Sequence, residues 1–163
     1  MSGRFQFLSE RCIDCGTCSV ACMDQNDLYP EKGDVPYRRC YTVEEGHGEE
    51  TKMRYLSSGC MHCEDAPCIS ACPSDCLYKD EETQLVLYDA SGCVGCKLCL
   101  EACPFDAPVF SADGVMAKCD GCAERVRHGL LPACVSACPY DALIFKSDVK
   151  KDIRKDVLFD TKE

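Results

Sequence analysis

The stretch "CIDCGTCSVAC", from Cys12 to Cys22, places four cysteines within eleven residues. Thiols at this CxxCxxCxxxC spacing are too crowded to form comfortable disulfides with one another. The first three, at intervals of three residues, can instead each hold one corner of a single inorganic cluster. The fourth, Cys22, is then left for a different centre.

The same pattern recurs three more times along the chain. "CISACPSDCLY" starts at Cys68, "CLEACPFDAPVF" at Cys99 and "CVSACPYDALIF" at Cys134, and a CxxC pair lies upstream of each CxxxC. Four units of four cysteines account for 16 of the 18 cysteines. The chain is therefore built from repeats, and each repeat supplies four thiols.

Each repeat predicts a loop, a short helix, a turn and a strand. Pro73, Pro104 and Pro139 follow the fourth cysteine of three units, where proline prevents the helix from continuing; Met23 takes this place in the first unit. "LVLYD" (85–89) and "ALIF" (142–145) predict short strands. These elements indicate an α+β fold.

Composition excludes several classes of protein. The 163 residues carry a formal net charge of -10, which argues against a nucleic-acid partner. No run approaches the roughly 20 apolar residues of a membrane span. "MSGRFQFLSERC" (1–12) shows no secretory signal, so we expect a cytoplasmic protein with reduced, metal-binding thiols. Structural zinc sites and a disulfide framework are the two alternatives to iron-sulfur clusters. The number of cysteines and their regular spacing argue against both.

The pairing of the repeats can follow two schemes. In bacterial ferredoxins the fourth cysteine of a run ligates the other cluster of a pair. Consecutive units could pair, or the first could pair with the fourth and the second with the third. The stretch 27–55, a predicted hairpin or arm, interrupts the rhythm, and it favours the nested scheme.

These motifs resemble the four-cluster iron-sulfur subunit of the dimethyl sulfoxide reductase family. The resemblance rests on the spacing series, on "CMHCEDAPC" (60–68) and on "KCDGCAERV" (118–126), and it covers about residues 9–146. It implies four 4Fe-4S clusters, since Cys96, which some relatives lack, is present. The implied ligand sets are site 1 (Cys12, Cys15, Cys18, Cys138), site 2 (Cys22, Cys119, Cys122, Cys134), site 3 (Cys60, Cys63, Cys68, Cys103) and site 4 (Cys72, Cys93, Cys96, Cys99).

The resemblance also implies a domain organisation. One domain over 1–163 would contain two nested, pseudo-symmetric bacterial ferredoxin-like modules with short helices, small antiparallel strands and an inserted arm. The expected parts are module A (1–26 plus 113–146), module B (56–112), the insertion (27–55) and a C-terminal tail (147–163).

The implied function is electron transfer, not catalysis. The chain would relay single electrons between a large molybdenum or tungsten pterin catalytic subunit and a second redox partner. A separate membrane-anchor subunit is possible in this family, and export would occur only together with a signal-bearing partner. The alternative is a free-standing soluble polyferredoxin, but a freely diffusing carrier would have little use for the 27–55 arm.

The remaining residues of interest have simpler interpretations. Cys40 and Cys76 are expected to be packing residues, His62 to pack or hydrogen-bond near a cluster, and His47 and His128 to lie on the surface. Partner docking is assigned to the arm, through Tyr37, Arg38, Arg39 and Tyr41, and to the tail, through an apolar stripe at Val149, Ile153 and Val157.

Overall fold

The structure, a computed structural model, describes residues 4–111 and 113–146. The expected docking stripe of the tail lies outside these residues. The helices are α1 (Thr17–Gln25), α2 (Pro67–Ser70), α3 (Leu98–Glu101), α4 (Ala123–Arg127) and α5 (Ala133–Ser136). The strands are β1 (Arg4–Phe7), β2 (Arg38–Glu45), β3 (Lys52–Gly59), β4 (Leu77–Lys79), β5 (Val86–Tyr88), β6 (Val109–Phe110), β7 (Met116–Ala117) and β8 (Leu143–Lys146).

All strand pairs in the described residues are short and antiparallel. β1 pairs with β8, β2 with β3, β4 with β5, and β6 with β7. Phe5 of β1 stands opposite Phe145 of β8, so the two ends of the described chain lie side by side. The predicted strands at 85–89 and 142–145 are confirmed as β5 and β8, and short helices with antiparallel strands confirm the α+β class.

The helices of the repeats pack in pairs that are distant in sequence. α1, in the first repeat, packs against α5 in the fourth, and α2 packs against α3. α2, α3 and α5 have four residues each and end before the proline that follows the fourth cysteine of their repeat. α1, in the repeat that has Met23 in place of this proline, continues to Gln25. Cysteines from distant repeats are therefore carried to common positions.

Two small apolar cores lie on opposite faces of β5. Leu85 and Leu87 pack in the first core with Val126 and Leu143, whereas Val86 packs in the second. Alternation of side chains along a strand explains why neighbouring residues serve different cores. This strand joins the two cores into one body.

Residues 38–59 form a hairpin, the structure predicted for the part of the chain that interrupts the repeats. β2 and β3 pair over eight positions, from Arg38 opposite Gly59 to Glu45 opposite Lys52. β3 continues four residues beyond position 55, to Gly59. A Cβ atom at Gly59 would come within 2.9 Å of the Tyr37 carbonyl oxygen. Glycine therefore allows the backbone at the end of β3 to approach the backbone just before β2.

Candidate metal centres

The loop between paired cysteines has the same backbone form in all four repeats. The residue before the second cysteine is Asp14, His62, Gly95 or Gly121, and each has a positive φ, of 56°, 48°, 69° and 73°. Glycine adopts this left-handed form freely, and aspartate and histidine tolerate it better than most residues. The turn curls each loop around its own cysteine pair. At Gly95 a Cβ would also come within 2.7 Å of the Gly114 carbonyl oxygen.

Site 1 lies around a cavity between the two ends of the described chain. Its four predicted cysteines, Cys12, Cys15, Cys18 and Cys138, all line this cavity. Cys138 follows α5, and the packing of α5 on α1 brings it there. Cys15 is exposed, and the Thr17 hydroxyl donates a hydrogen bond to its sulfur at 3.3 Å.

Site 4 has the same construction at the other core. Cys72, Cys93, Cys96 and Cys99 line one cavity, together with Leu77 and Met116 of the second core. Cys96 is exposed, as Cys15 is at site 1.

Site 2 lies between site 1 and site 3, and its Cys22 and Cys134 are buried. Burial raises the pKa of Cys22, and the nearby Cys134 raises it further. Burial likewise raises the pKa of Cys122 to about 11, with Cys134 and Cys22 adding to the effect. The pKa of Cys119 is raised well above its ordinary value by burial and then by Cys60 and Cys134. Cys22, Cys119 and Cys122 thus all lie near Cys134, and Cys119 also lies near Cys60 of site 3.

Site 3 brings its predicted members together in the same way. The pKa of Cys63 is raised by burial and then by Cys60 and Cys103. The pKa of Cys68 is raised to about 11, first by burial and then by Cys60. Cys103 also accepts a hydrogen bond from the Ala107 backbone N–H at 3.5 Å.

The donor chemistry of these sites fits iron-sulfur clusters. Each site offers four thiols, and thiolate is the protein ligand that holds 4Fe-4S clusters. No group of His, Cys, Asp and Glu side chains in 4–111 and 113–146 is drawn together to hold a single metal ion. The thiols of sites 1 and 4 instead surround cavities. Backbone N–H groups also reach the sulfurs, as from Gly121 to Cys119 at 3.3 Å.

Arg38 is buried beside the thiols of sites 1 and 2. Its side chain is 2% exposed, Nη1 donates to the Ser57 carbonyl oxygen at 3.1 Å, and Nη2 has no hydrogen-bond partner. Burial opposes its charge, but the neighbouring Cys134, Cys119 and Cys18 outweigh burial and leave the pKa of Arg38 raised. The expectation that Arg38 docks a partner is wrong, because its side chain points into the protein.

Lys118 is a second buried cation, between sites 2 and 3. It is 1% exposed, and its ammonium group donates to the backbone oxygens of Val86 and, at 2.7 Å, Cys119. Its charge lowers the pKa values of Cys68 and Cys119, against the larger effect of burial.

The burial of these two cations indicates what the sites hold. No ion pair within the described part of the chain joins Arg38 or Lys118 to a carboxylate. An uncompensated buried charge costs several kcal/mol or more. The sulfur atoms beside both cations can supply the missing negative charge when they are thiolates. Anionic, thiolate-ligated clusters at sites 2 and 3 satisfy this electrostatic requirement.

His62, next to site 3, is a buried neutral side chain. It is 0% exposed, and its Nδ1 accepts a hydrogen bond from the Val86 N–H at 3.0 Å. Burial lowers the pKa of His62 well below its ordinary value, and Lys118 lowers it further. Because Nδ1 is an acceptor, Nε2 carries the proton. The prediction that His62 packs and hydrogen-bonds is confirmed, and His47 and His128 are exposed as expected.

Cys40 and Cys76 lie closer to the sites than the sequence indicated. Cys76 is 4% exposed and Cys40 is half-buried, in keeping with packing residues. However, Cys40 lines the cavity of site 1, where its sulfur is 3.5 Å from that of Cys18, and Cys76 lines the cavity of site 4. Side chains two positions apart in a strand lie on the same face, so the sequence could have predicted that Cys40 and Arg38 share one face of β2.

Replacing Cys40 or Cys76 singly by alanine is expected to leave the iron content unchanged. Each change removes one sulfur atom from the lining of a cavity and should lower the free energy of unfolding by no more than roughly 3 kcal/mol. Iron analysis and a denaturation curve measure the two effects. Loss of a whole cluster in either variant would show that the cysteine is a ligand.

Comparison with protein families identifies both halves of the chain. A 4Fe-4S dicluster domain model matches residues 51–148, and a second 4Fe-4S dicluster domain model matches residues 11–76. The chain belongs to the 4Fe-4S dicluster domain family.

Curated relatives show the same type of protein. The protein is 42% identical over 133 residues to one of the chains of the anaerobic dimethyl sulfoxide reductase of Escherichia coli, covering 76% of this chain and 63% of the relative. It is 44% identical over 119 residues to the formate dehydrogenase iron-sulfur subunit of Wolinella succinogenes, covering 69% and 56%. It is 41% identical over 126 residues to the thiosulfate reductase electron transfer subunit PhsB of Salmonella typhi, covering 76% and 65%. The chain thus spans less than two thirds of the length of these relatives.

Proposed function

We propose that this protein is an electron-transfer subunit that relays single electrons through four 4Fe-4S clusters. The observation that carries the proposal is the row formed by the four cysteine groups. Cys18 of site 1 adjoins Cys134 of site 2, Cys119 of site 2 adjoins Cys60 of site 3, and Cys68 and Cys99 of sites 3 and 4 share one core. The two outer sites each have an exposed cysteine, so both ends of the row are accessible.

The sixteen cysteines would hold the clusters in the four sets named above. A 4Fe-4S cluster supplies reversible one-electron exchange, and four thiolate ligands leave its irons no open position for a substrate. The protein's own contribution is burial, backbone N–H groups directed at sulfur, and the charges of Arg38 and Lys118. These features would tune the reduction potentials of the clusters, and electron transfer requires no catalytic side chain.

The same reasoning extends to domain organisation. We propose two nested ferredoxin-like modules, module A over 1–26 plus 113–146 and module B over 56–112, around the insertion and followed by the tail. The proposal is supported by the β1–β8 pairing, the α1–α5 contact and the α2–α3 contact.

The partner would be a large molybdenum or tungsten pterin catalytic subunit, with a second redox subunit at the other end of the row. This follows from the relatives, which are named as chains or subunits of dimethyl sulfoxide reductase, formate dehydrogenase and thiosulfate reductase. No helix in the described ranges has the length and apolar character needed to cross a membrane. We propose a cytoplasmic location, or export only with a signal-bearing partner, and an optional separate membrane anchor.

Anaerobic affinity purification from the native cell tests this function. The expected result is a stoichiometric large subunit that contains molybdenum or tungsten, and re-oxidation of the reduced clusters on addition of that subunit's substrate. A chain that purifies alone with all its iron, and exchanges electrons with several enzymes, would favour the alternative of a free-standing polyferredoxin.

The nested pairing makes a separate prediction for Cys138. Replacing Cys138 by alanine is expected to abolish the same cluster as replacing Cys12, although the two are far apart in sequence. The cavity that both cysteines line is the reason for this expectation. Electron paramagnetic resonance (EPR) spectra of the two variants should lose the same component. Loss of the component that depends on Cys119 in the Cys138 variant alone would contradict the pairing.

A further inference from the structure

The two cysteines outside the ligand sets are placed alike. Cys40 lines the cavity of site 1, and Cys76 lines the cavity of site 4, so each outer site has five thiols. With sixteen of the 18 cysteines assigned as ligands, these two are the whole remainder, and the inner sites have none. The additional thiols therefore occur only at the two sites that contain an exposed cysteine.

Each additional thiol lies next to one particular ligand. The Cys40 sulfur is 3.5 Å from the Cys18 sulfur, and Ser57 Oγ also lies 3.4 Å from Cys18. Cys76 lines the same cavity as Cys72, and its thiol donates a hydrogen bond to the Ser74 carbonyl oxygen at 3.8 Å. Cys40 belongs to the paired strand β2 and Cys76 immediately precedes β4, so both sit on ordered backbone. The Cys40 sulfur is already 3.5 Å from the Cys18 sulfur, so a change of its side-chain rotamer can move it toward that position.

We propose that Cys40 and Cys76 are reserve ligands, which replace Cys18 at site 1 and Cys72 at site 4 when those ligands are lost. The inference rests on the proposed clusters and their ligand sets. It assigns these two cysteines a role in retaining the clusters at sites 1 and 4, the two accessible ends of the row.

The exchange is balanced in protons and electrons. Cys40 gives up its thiol proton and binds the iron that Cys18 releases, and the freed Cys18 sulfur takes up that proton. One iron–sulfur bond forms and one breaks, and nothing is oxidised or reduced. When Cys18 has been removed by mutation, the proton goes to water and the Cys40 thiolate takes the vacant position. Cys76 and Cys72 follow the same scheme.

Double replacement at site 1 tests the proposal. The wild type is expected to contain about 16 irons, and Cys18→Ala should keep about 16, because Cys40 takes over. Cys18→Ala combined with Cys40→Ala should fall to about 12 to 15 irons, since a site with three ligands loses one iron or the whole cluster. The oxidised protein should then show the EPR signal of a three-iron cluster, or lose one reduced cluster signal. The matched control is Cys22→Ala, a ligand of site 2 with no additional cysteine beside it, which should lose iron without any second change.

The outcomes separate the proposal from the assignment on which it rests. Equal iron loss in Cys18→Ala and in the double variant, with Cys22→Ala also deficient, would overturn the reserve-ligand role and leave the ligand sets intact. A full iron content in Cys22→Ala would overturn the ligand set of site 2 itself. Cys72→Ala with and without Cys76→Ala repeats the test at site 4. Iron loss in both single ligand variants, or their failure to accumulate as loaded protein, counts against the proposal.

Discussion

Removal of iron and sulfide is expected to unfold the protein. The two apolar cores are small, and Arg38 and Lys118 are buried without a carboxylate partner in the described residues. Without anionic clusters each cation would lose its compensation, at a cost of about 3–5 kcal/mol when a buried pair is broken. Net stabilities of domains are only about 5–15 kcal/mol, so two such losses are decisive. Metal binding and folding are therefore the same transition here.

Circular dichroism and hydrogen exchange, recorded anaerobically before and after treatment with an iron chelator and reductant, measure this effect. The treated chain should lose strand and helix signals and all slowly exchanging amides, and reconstitution with iron and sulfide should restore them. The control is the loaded protein carried through the same steps without chelator. An iron-free chain with a cooperative thermal transition would contradict the account.

Replacement of Arg38 by glutamine is expected to lower the reduction potential of one cluster. Reduction adds negative charge, and the guanidinium beside Cys134 and Cys119 stabilises that charge. At an effective dielectric constant of about 20, two unit charges roughly 5.5 to 11 Å apart interact by about 1.5–3 kcal/mol. At about 59 mV for each tenfold change, this corresponds to a shift of about 65–130 mV to lower potential for a one-electron couple. Glutamine keeps a donor for the Ser57 carbonyl oxygen, so the loss is mainly that of the charge.

An EPR-monitored redox titration measures the four potentials separately. Arg54→Gln is the matched control, because Arg54 lies on the same hairpin but is exposed and paired with Glu45. It should leave all four potentials unchanged, and Arg38→Lys should restore part of the loss. Four unchanged potentials in Arg38→Gln would show that the guanidinium does not act on a cluster.

The local structure followed closely from the sequence. Proline after the fourth cysteine ends α2, α3 and α5, short apolar runs form β5 and β8, and part of the predicted arm forms the β2–β3 hairpin. Such features depend on neighbours in the chain, so one repeat is enough to predict them. The left-handed residue inside each CxxC pair was not anticipated, although glycine at two of the four positions indicated it.

The electrostatics of the central sites could not be predicted in the same way. Arg38 occurs in "RRCYTV", where its neighbours suggest an exposed, basic strand, and only the long-range packing of β2 buries it. Lys118 precedes a CxxC pair, and its burial requires the contact with Val86, 32 positions away. The location of Cys40 beside Cys18 likewise depends on how the hairpin folds onto α1. These are tertiary contacts, and no local pattern encodes them.

The central claim, that sixteen cysteines hold four clusters, is tested most directly by anaerobic analysis of iron, acid-labile sulfide and zinc in the purified protein. The account predicts about 16 irons and about 16 sulfides per chain, with no zinc. Half that iron and sulfide, or zinc in place of iron, would contradict it.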